Sequence, residues 1–172
     1  MNIDLRRYVR DVQDFPKPGI VFKDLTPLLA DARAFAASID ALVAPFRDAA
    51  IERVVGIEAR GFIFGAAAAH ALGAGFVPMR KPGKLPAATI GIDYALEYGN
   101  DRLEIHADSL VRGERVLLID DVLATGGTLA AAVALVREFE ANLVGAATVI
   151  ELGFLEGRRK IEGVTFHSVL NY

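Results

Sequence analysis

A chain of 172 residues with 53% hydrophobic content and a mean hydropathy of +0.35 is long enough to bury one substantial core and too short to favour two independent ones. Arg60, His70, Arg80, Asp120 and Asp121 interrupt its richest apolar stretches, so no run of about 18 uncharged apolar residues remains and no membrane association is expected. The lack of cysteine removes disulfides, thiolate metal sites and thiol nucleophiles together and suits a cytoplasmic location, while a net charge of −3 argues against nucleic acid as a partner.

In chain order, MNIDLRRYVRDVQDF carries acids and no continuous apolar core, so neither a signal peptide nor a transit peptide is expected. Leu5, Tyr8, Val9 and Val12 lie at helical spacing and predict a short amphipathic helix over residues 3–12, ended by Pro16-Lys17-Pro18-Gly19. Ile20-Val21-Phe22 reads as extended. Asp31 can cap a helix whose apolar positions Phe35, Ile39, Leu42, Val43 and Phe46 follow i, i+4, i+7, i+8, i+11. Residues 53–57 predict a strand, 61–72 an alanine-rich helix and 76–79 a strand. Further on, 116–119 predict a strand, 129–139 a helix and 143–150 a strand. Strands alternating with helices argue an α/β fold with a central, mainly parallel sheet flanked by helices.

Residues 81–100 break this rhythm, opening with Pro82-Gly83-Lys84-Leu85-Pro86, and a segment that long inside a compact domain is usually functional. Asp93 to Tyr98 alternates, Gly99-Asn100 can turn, and Arg102 to His106 alternates again, which predicts a β-hairpin: a flap or a plain surface hairpin.

The most informative run is Val116-Leu117-Leu118-Ile119-Asp120-Asp121-Val122-Leu123-Ala124-Thr125-Gly126-Gly127-Thr128. Its aliphatic start suits a strand buried on both faces, so Asp120 and Asp121 should emerge at the carboxyl end of a parallel sheet, where such sheets bind ligands. Ala124 to Thr128 offers unobstructed backbone N–H groups, two hydroxyls and the start of a helix, a combination suited to a phosphate. Acids beside a phosphate cradle suggest a sugar phosphate whose hydroxyls donate to carboxylates. No Lys follows the glycines and GxGxxG is absent, so the run is neither a Walker A loop nor a dinucleotide fingerprint.

VLLIDDVLATGGT resembles the phosphoribosyl pyrophosphate (PRPP) motif of the type I phosphoribosyltransferases. FPKPGIVFKDLTPLL, GIEARGFIFG and YALEYG resemble the branch of that family that acts on adenine, and the four segments span most of the chain. The resemblance implies a single domain over 1–172, with a base-binding N-terminal hood over about 1–30 and a flexible catalytic flap over about 81–106. It implies transfer of a phosphoribosyl group from PRPP to adenine in purine salvage, giving AMP and pyrophosphate. Mg²⁺ would be carried by the PRPP oxygens, with no direct protein ligand, and the protein would be a homodimer.

The same resemblance distributes roles. Asp120 and Asp121 would face the ribose, and Ala124, Thr125, Gly126, Gly127 and Thr128 would hold the 5′-phosphate. Glu58, Ala59 and Arg60, between a strand end and a helix start, match the family's pyrophosphate loop. Arg80, Lys81 and Lys84 would add positive charge beside the flap, partly for a neighbouring subunit. Phe22 would stack on adenine, Val122 or Leu123 would cover its other face, and the backbone near Val21 and Lys23 would read the exocyclic amine. Lys23 stands where many relatives have Arg, which matters only if the side chain touches the base. Glu97, on the flap, would handle the ring proton that adenine loses. His70, His106 and His167 have no metal-ligand spacing and receive no role.

Overall fold

A computed structural model describes residues 3–96 and 99–172, so Glu97 and Tyr98 lie outside the described residues. The chain divides into two compact units, Met1–Ala41 and Leu42–Tyr172.

In the first unit, Asp4 accepts the Arg6 backbone N–H at 3.2 Å and starts a single 3-10 turn, Leu5–Tyr8. Strand β1 (Arg10–Gln13) follows and pairs antiparallel with β2 (Val21–Asp24). The helix expected over residues 3–12 is thus replaced by a turn and a strand. Opposite charges explain the preference: the register sets Arg10 against Asp24 and Asp11 against Lys23, with ion pairs at 2.6 and 2.7 Å. Asp24 also accepts the Thr26 N–H at 2.9 Å at the start of the short helix α1 (Thr26–Ala30). The expected cap at Asp31 is present, its Oδ1 accepting from the Arg33 and Ala34 N–H groups at 3.0 and 2.9 Å as α2 (Ala32–Val43) begins. In the second unit, which begins at Leu42 within α2, Pro45 then shapes a 3-10 turn, Ala44–Phe46, so Phe46 follows the helix instead of ending it.

The second unit runs β3 (Arg53–Ile57), α3 (Gly61–Leu72), β4 (Gly75–Met79), β5 (Thr89–Leu96), β6 (Gly99–His106), β7 (Arg115–Leu123), α4 (Gly127–Arg137), β8 (Asn142–Glu151) and β9 (Phe166–Asn171). Five strands form a parallel sheet in the order β4-β3-β7-β8-β9. Val54, Val55, Ile57, Leu117, Leu118 and Ile119 are fully buried, as the unbroken aliphatic runs of a sheet covered on both faces require. Strand β7 is longer than expected. Its pairing with β3 stops at Ile119, whereas its pairing with β8 continues to Leu123 against Glu151. Asp120 and Asp121 therefore remain in the strand while leaving the sheet on one side only.

β5 and β6 form the expected antiparallel hairpin, with Leu96 paired to Gly99. Gly99 and Asn100, expected to turn, are instead paired residues of β6. The hairpin is joined to the end of β4 by reciprocal backbone hydrogen bonds of 2.8 Å between Arg80 and Glu104. Leu103 and Ile105 are fully buried in the cluster that holds Ile57, Val77, Met79 and Leu118. No described helix is long and apolar enough to cross a membrane.

At the end of β8, Glu151 is 4% exposed and accepts four hydrogen bonds: from Arg158 Nε and Nη2 at 2.5 and 2.7 Å, Ser168 Oγ at 2.7 Å and Asn171 Nδ2 at 3.3 Å. The Arg158 hydrogen bonds, helped by Ser168 and the guanidinium charge, outweigh burial and hold the Glu151 pKa below its ordinary value. A lowered carboxylate pKa contributes stability above the unfolded-state value that is lost as pH falls through the folded one. Glu151→Gln should cost roughly 1–3 kcal/mol at neutral pH and flatten the loss of stability below the ordinary glutamate range. Urea unfolding of both proteins across the acid range measures this; parallel pH profiles would contradict it.

Candidate active site

The unequal pairing of β7 sets up the site. Past Ile119 the strand has no strand partner on the β3 side among the described residues, and the chain leaving β3 passes through Glu58, Ala59 and Arg60 into α3. Glu58, Ala59, Arg60, Lys81, Asp120, Asp121 and Thr128 line a cleft of about 320 Å³ there. Asp120, Val122, Leu123 and Ala124 to Leu129 line a smaller recess of about 80 Å³. That is more than the roughly 30 Å³ a water molecule occupies in the liquid. Most of the residues assigned to PRPP from the sequence thus gather at the carboxyl edge of one sheet.

The recess is built by a turn. Gly126 has φ +81°, in the left-handed region that favours glycine, and precedes α4. Among the described residues no side chain caps α4, whose first intrahelical bond runs from Ala130 N–H to Gly126 O at 2.9 Å. The N–H groups of its first turn are therefore the donors an anion would use.

Charge in the larger cleft is arranged in pairs. The Arg60 guanidinium donates through Nε to Asp121, whose residue is 7% exposed. Asp120 Oδ1 accepts the Asp121 backbone N–H at 2.8 Å. Burial, and then the neighbouring Asp121 charge, push the Asp120 pKa well above the ordinary aspartate value.

The basic segment is also engaged. Arg80 donates to Glu58 through Nη2 at 2.8 Å and Nε at 3.3 Å, and the Lys81 N–H donates to the same carboxylate at 2.9 Å. These contacts, the Arg80 hydrogen bonds first, hold the Glu58 pKa down. Arg80 Nη1 donates to the Lys84 carbonyl at 3.1 Å, and Lys84 itself is exposed. Lys81 reaches across to the hairpin, where its ammonium meets Asp101 and donates to the Tyr94 hydroxyl at 3.0 Å. Tyr94 donates to Asp101 at 3.1 Å and lies 3.4 Å from the Thr128 hydroxyl, so the hairpin touches the start of α4. Burial opposes the charge on both Lys81 and Asp101, yet their mutual contact raises the lysine pKa and lowers that of the aspartate.

In the first unit, Val21, Phe22 and Lys23 lie on β2. Phe22 meets Phe15 edge-on at 5.2 Å, and Lys23 pairs with Asp11. Because this sheet has two strands among the described residues, β2 keeps one edge whose backbone groups face away from β1. Val122 and Leu123 belong to the second unit, at the end of β7.

Sequence reasoning did not single out Tyr94, Asp101, Glu151, Gly157 or Arg158. Asp101 and Tyr94 had one available signal, since inward alternation on a hairpin beside Lys81 invites a polar partner. Glu151 and Arg158 had none, because their meeting depends on the return of the chain between β8 and β9.

The phosphoribosyl transferase domain family matches residues 23–165, and the chain belongs to that family. Its relatives are more particular. An adenine phosphoribosyltransferase of Xanthomonas campestris pv. campestris (strain B100) is 56% identical over 165 residues, covering 95% of this chain and 89% of that one. One of Desulfitobacterium hafniense (strain Y51) is 51% identical over 170 residues, covering 99% and 98%. Among solved structures, the adenine phosphoribosyltransferase of Rhodothermus marinus superposes with a TM-score of 0.93 at 49% identity, covering 98% of this chain and 96% of that one. That of Saccharomyces cerevisiae, complexed with an imino-altritol bisphosphate and adenine, gives a TM-score of 0.92 at 41% identity, covering 97% of each.

Proposed function

We propose that this chain is an adenine phosphoribosyltransferase, transferring the 5-phosphoribosyl group of PRPP to adenine in purine salvage and releasing AMP and pyrophosphate. The observation that carries this reading is one sheet edge where two acids, an uncapped helix start and two cationic side chains border adjoining cavities, in a chain more than half identical to adenine phosphoribosyltransferases.

In this reading the 5′-phosphate sits in the Ala124–Thr128 recess, and Asp120 and Asp121 receive the ribose hydroxyls. Arg60, Lys81 and the N–H groups after Glu58 take the pyrophosphate, exchanging their present carboxylate partners for its oxygens. Bond breaking at the anomeric carbon runs ahead of bond making, so cations that hold the departing charge supply much of the acceleration. Arg80 and Lys84 add to the positive field. Phe22 stacks on adenine and the β2 backbone at Val21 and Lys23 reads its amine, while Val122 and Leu123, in the second unit, are the apolar residues proposed for its other face. With the Lys23 ammonium engaged by Asp11, reading by its backbone suits the present side chain. Mg²⁺ fits as an ion brought in on PRPP: Asp121 is engaged by Arg60, which suits the pair to sugar hydroxyls. Bound to pyrophosphate, the ion would neutralise part of the leaving charge.

Initial velocities with PRPP and Mg²⁺ against adenine, hypoxanthine, guanine, xanthine and uracil test the proposal. AMP formed selectively from adenine is expected; preference for another base would overturn the adenine assignment, and inactivity with every base would overturn the enzyme assignment.

Glu97 is the proton-handling residue in this proposal, carried by the flap to a site from which water is excluded. Glu97→Ala should lower kcat by at least ~10²-fold, a usual share for acid–base catalysis. Turnover near the wild-type value in steady-state assays would remove it from the mechanism.

The working unit is a cytoplasmic homodimer in which Lys84 of one protomer completes the neighbour's site. Light scattering at assay concentration should return twice the chain mass, and a monomer mass would refute this.

A further inference from the structure

The wall behind the phosphate recess comes from the chain that returns between β8 and β9. Gly157 is buried there, in a 3-10 turn, Gly157–Ile161. A Cβ on Gly157 would lie 2.3 Å from the Ala124 carbonyl oxygen and 3.0 Å from Gly126 N; one on Gly126 would lie 2.3 Å from the Gly157 carbonyl oxygen. Backbone therefore meets backbone directly, and the shape of the loop follows the position of Gly157.

That position is fixed by its neighbour. Arg158 makes the two-point contact with Glu151 already described, and its guanidinium stacks over the Phe166 ring at 4.8 Å. Glu151 is paired with Leu123, the last residue of β7, and the Leu152 N–H donates to the Leu123 carbonyl at 2.9 Å. The rung that launches the loop at Ala124 is thus also the anchor of the segment that backs it. Ser168 and Asn171 on β9 donate to the same Oε2 that accepts from Arg158 Nη2, which restrains the orientation of the carboxylate. An ion pair with a half-exposed arginine contributes little net stability, but a bidentate pair sets geometry closely.

We propose that Glu151 and Arg158 are positioning residues for the phosphate loop, clamping Gly157 against Ala124 and Gly126 so that the loop keeps its N–H groups turned to a phosphate. The proposal rests on the reading that Ala124–Thr128 takes the 5′-phosphate. Neither residue has to touch substrate. Their effect passes through one backbone contact and is confined to ligands bearing that phosphate.

Calorimetric titration of the full-length protein with ribose 5-phosphate and, separately, with inorganic pyrophosphate distinguishes this role from a general structural one. Arg158→Ala should weaken ribose 5-phosphate by ~10-fold or more while pyrophosphate stays within about twofold, since displacement of a positioning element by about 1 Å can cost up to 10²-fold. Arg158→Lys should recover part of the loss, and Gly157→Ala should reproduce it. Thr125→Ala, within the loop, is the comparator. If it weakens ribose 5-phosphate and Arg158→Ala does not, the clamp is refuted and the phosphate loop stands. If neither has an effect, the loop assignment falls and the clamp with it. Equal weakening of both ligands by Arg158→Ala, alongside a lower Tm, would reduce the pair to a fold-stabilising contact and also refute the proposal. Should Arg158→Ala or Gly157→Ala fail to fold, the ratio of the two affinities in Arg158→Lys decides: a ratio shifted against ribose 5-phosphate supports the clamp, and an unchanged ratio overturns it.

Discussion

Strand β7 is held on both sides up to Ile119 and on one side beyond it, and the rest of the site depends on that inequality. A strand with two neighbours buries its backbone groups and side chains in the sheet. A strand that has lost one neighbour opens a cleft on that side and stays rigid on the other. Asp120 and Asp121 therefore sit at the rim of a cavity on a backbone still paired with β8, and the loop after Leu123 starts from a fixed point. Fixed dipoles and charges that need no reorganisation are what transfer chemistry demands of a site.

Cations of the cleft region are answered by carboxylates of the same unit: Arg60 by Asp121, Arg80 by Glu58, Lys81 by Asp101. Such pairs at partly exposed side chains are each worth only about 0–1 kcal/mol. Their cost of exchange is correspondingly small. Under the proposed function a polyanion entering the cleft would trade places with these carboxylates, and a chain of net charge −3 presents positive charge locally through these side chains. The carboxylates also orient the long cationic side chains before any ligand arrives, lowering the entropy lost on binding.

Much of this was legible in the amino-acid order. The strand over 53–57 and the helix over 61–72 fall where their aliphatic and alanine-rich runs predicted, because the strand is buried in the parallel sheet and the helix buries the face carrying Phe64, Gly65, Ala68 and Ala69. The Val116–Thr128 run marked the recess, since strand, turn and helix start are contiguous there and local chemistry decides the geometry. The N-terminal segment misled for the opposite reason. Its helical spacing was real, but charges from residues 21–24 reward an extended partner more than a lone turn of helix is worth. The turn expected at Gly99-Asn100 failed similarly: turn-forming residues permit a turn, while cross-strand register decides where it falls. Glu151, Gly157 and Arg158 were invisible because no local pattern marks a residue whose partner is fixed only by how the last strand returns.

The two backbone hydrogen bonds between Arg80 and Glu104 give the hairpin a pivot. From Glu104 to Gly99 the strand extends five residues, about 17 Å at the usual rise of about 3.4 Å per residue. A rotation of about 10° at the pivot carries that end about 3 Å, roughly the length of one hydrogen bond. Side chains near the bridge barely shift under the same rotation. The hairpin is thus held in the core at Leu103 and Ile105, on either side of the bridge, and a small angular change there becomes a larger displacement toward Gly99.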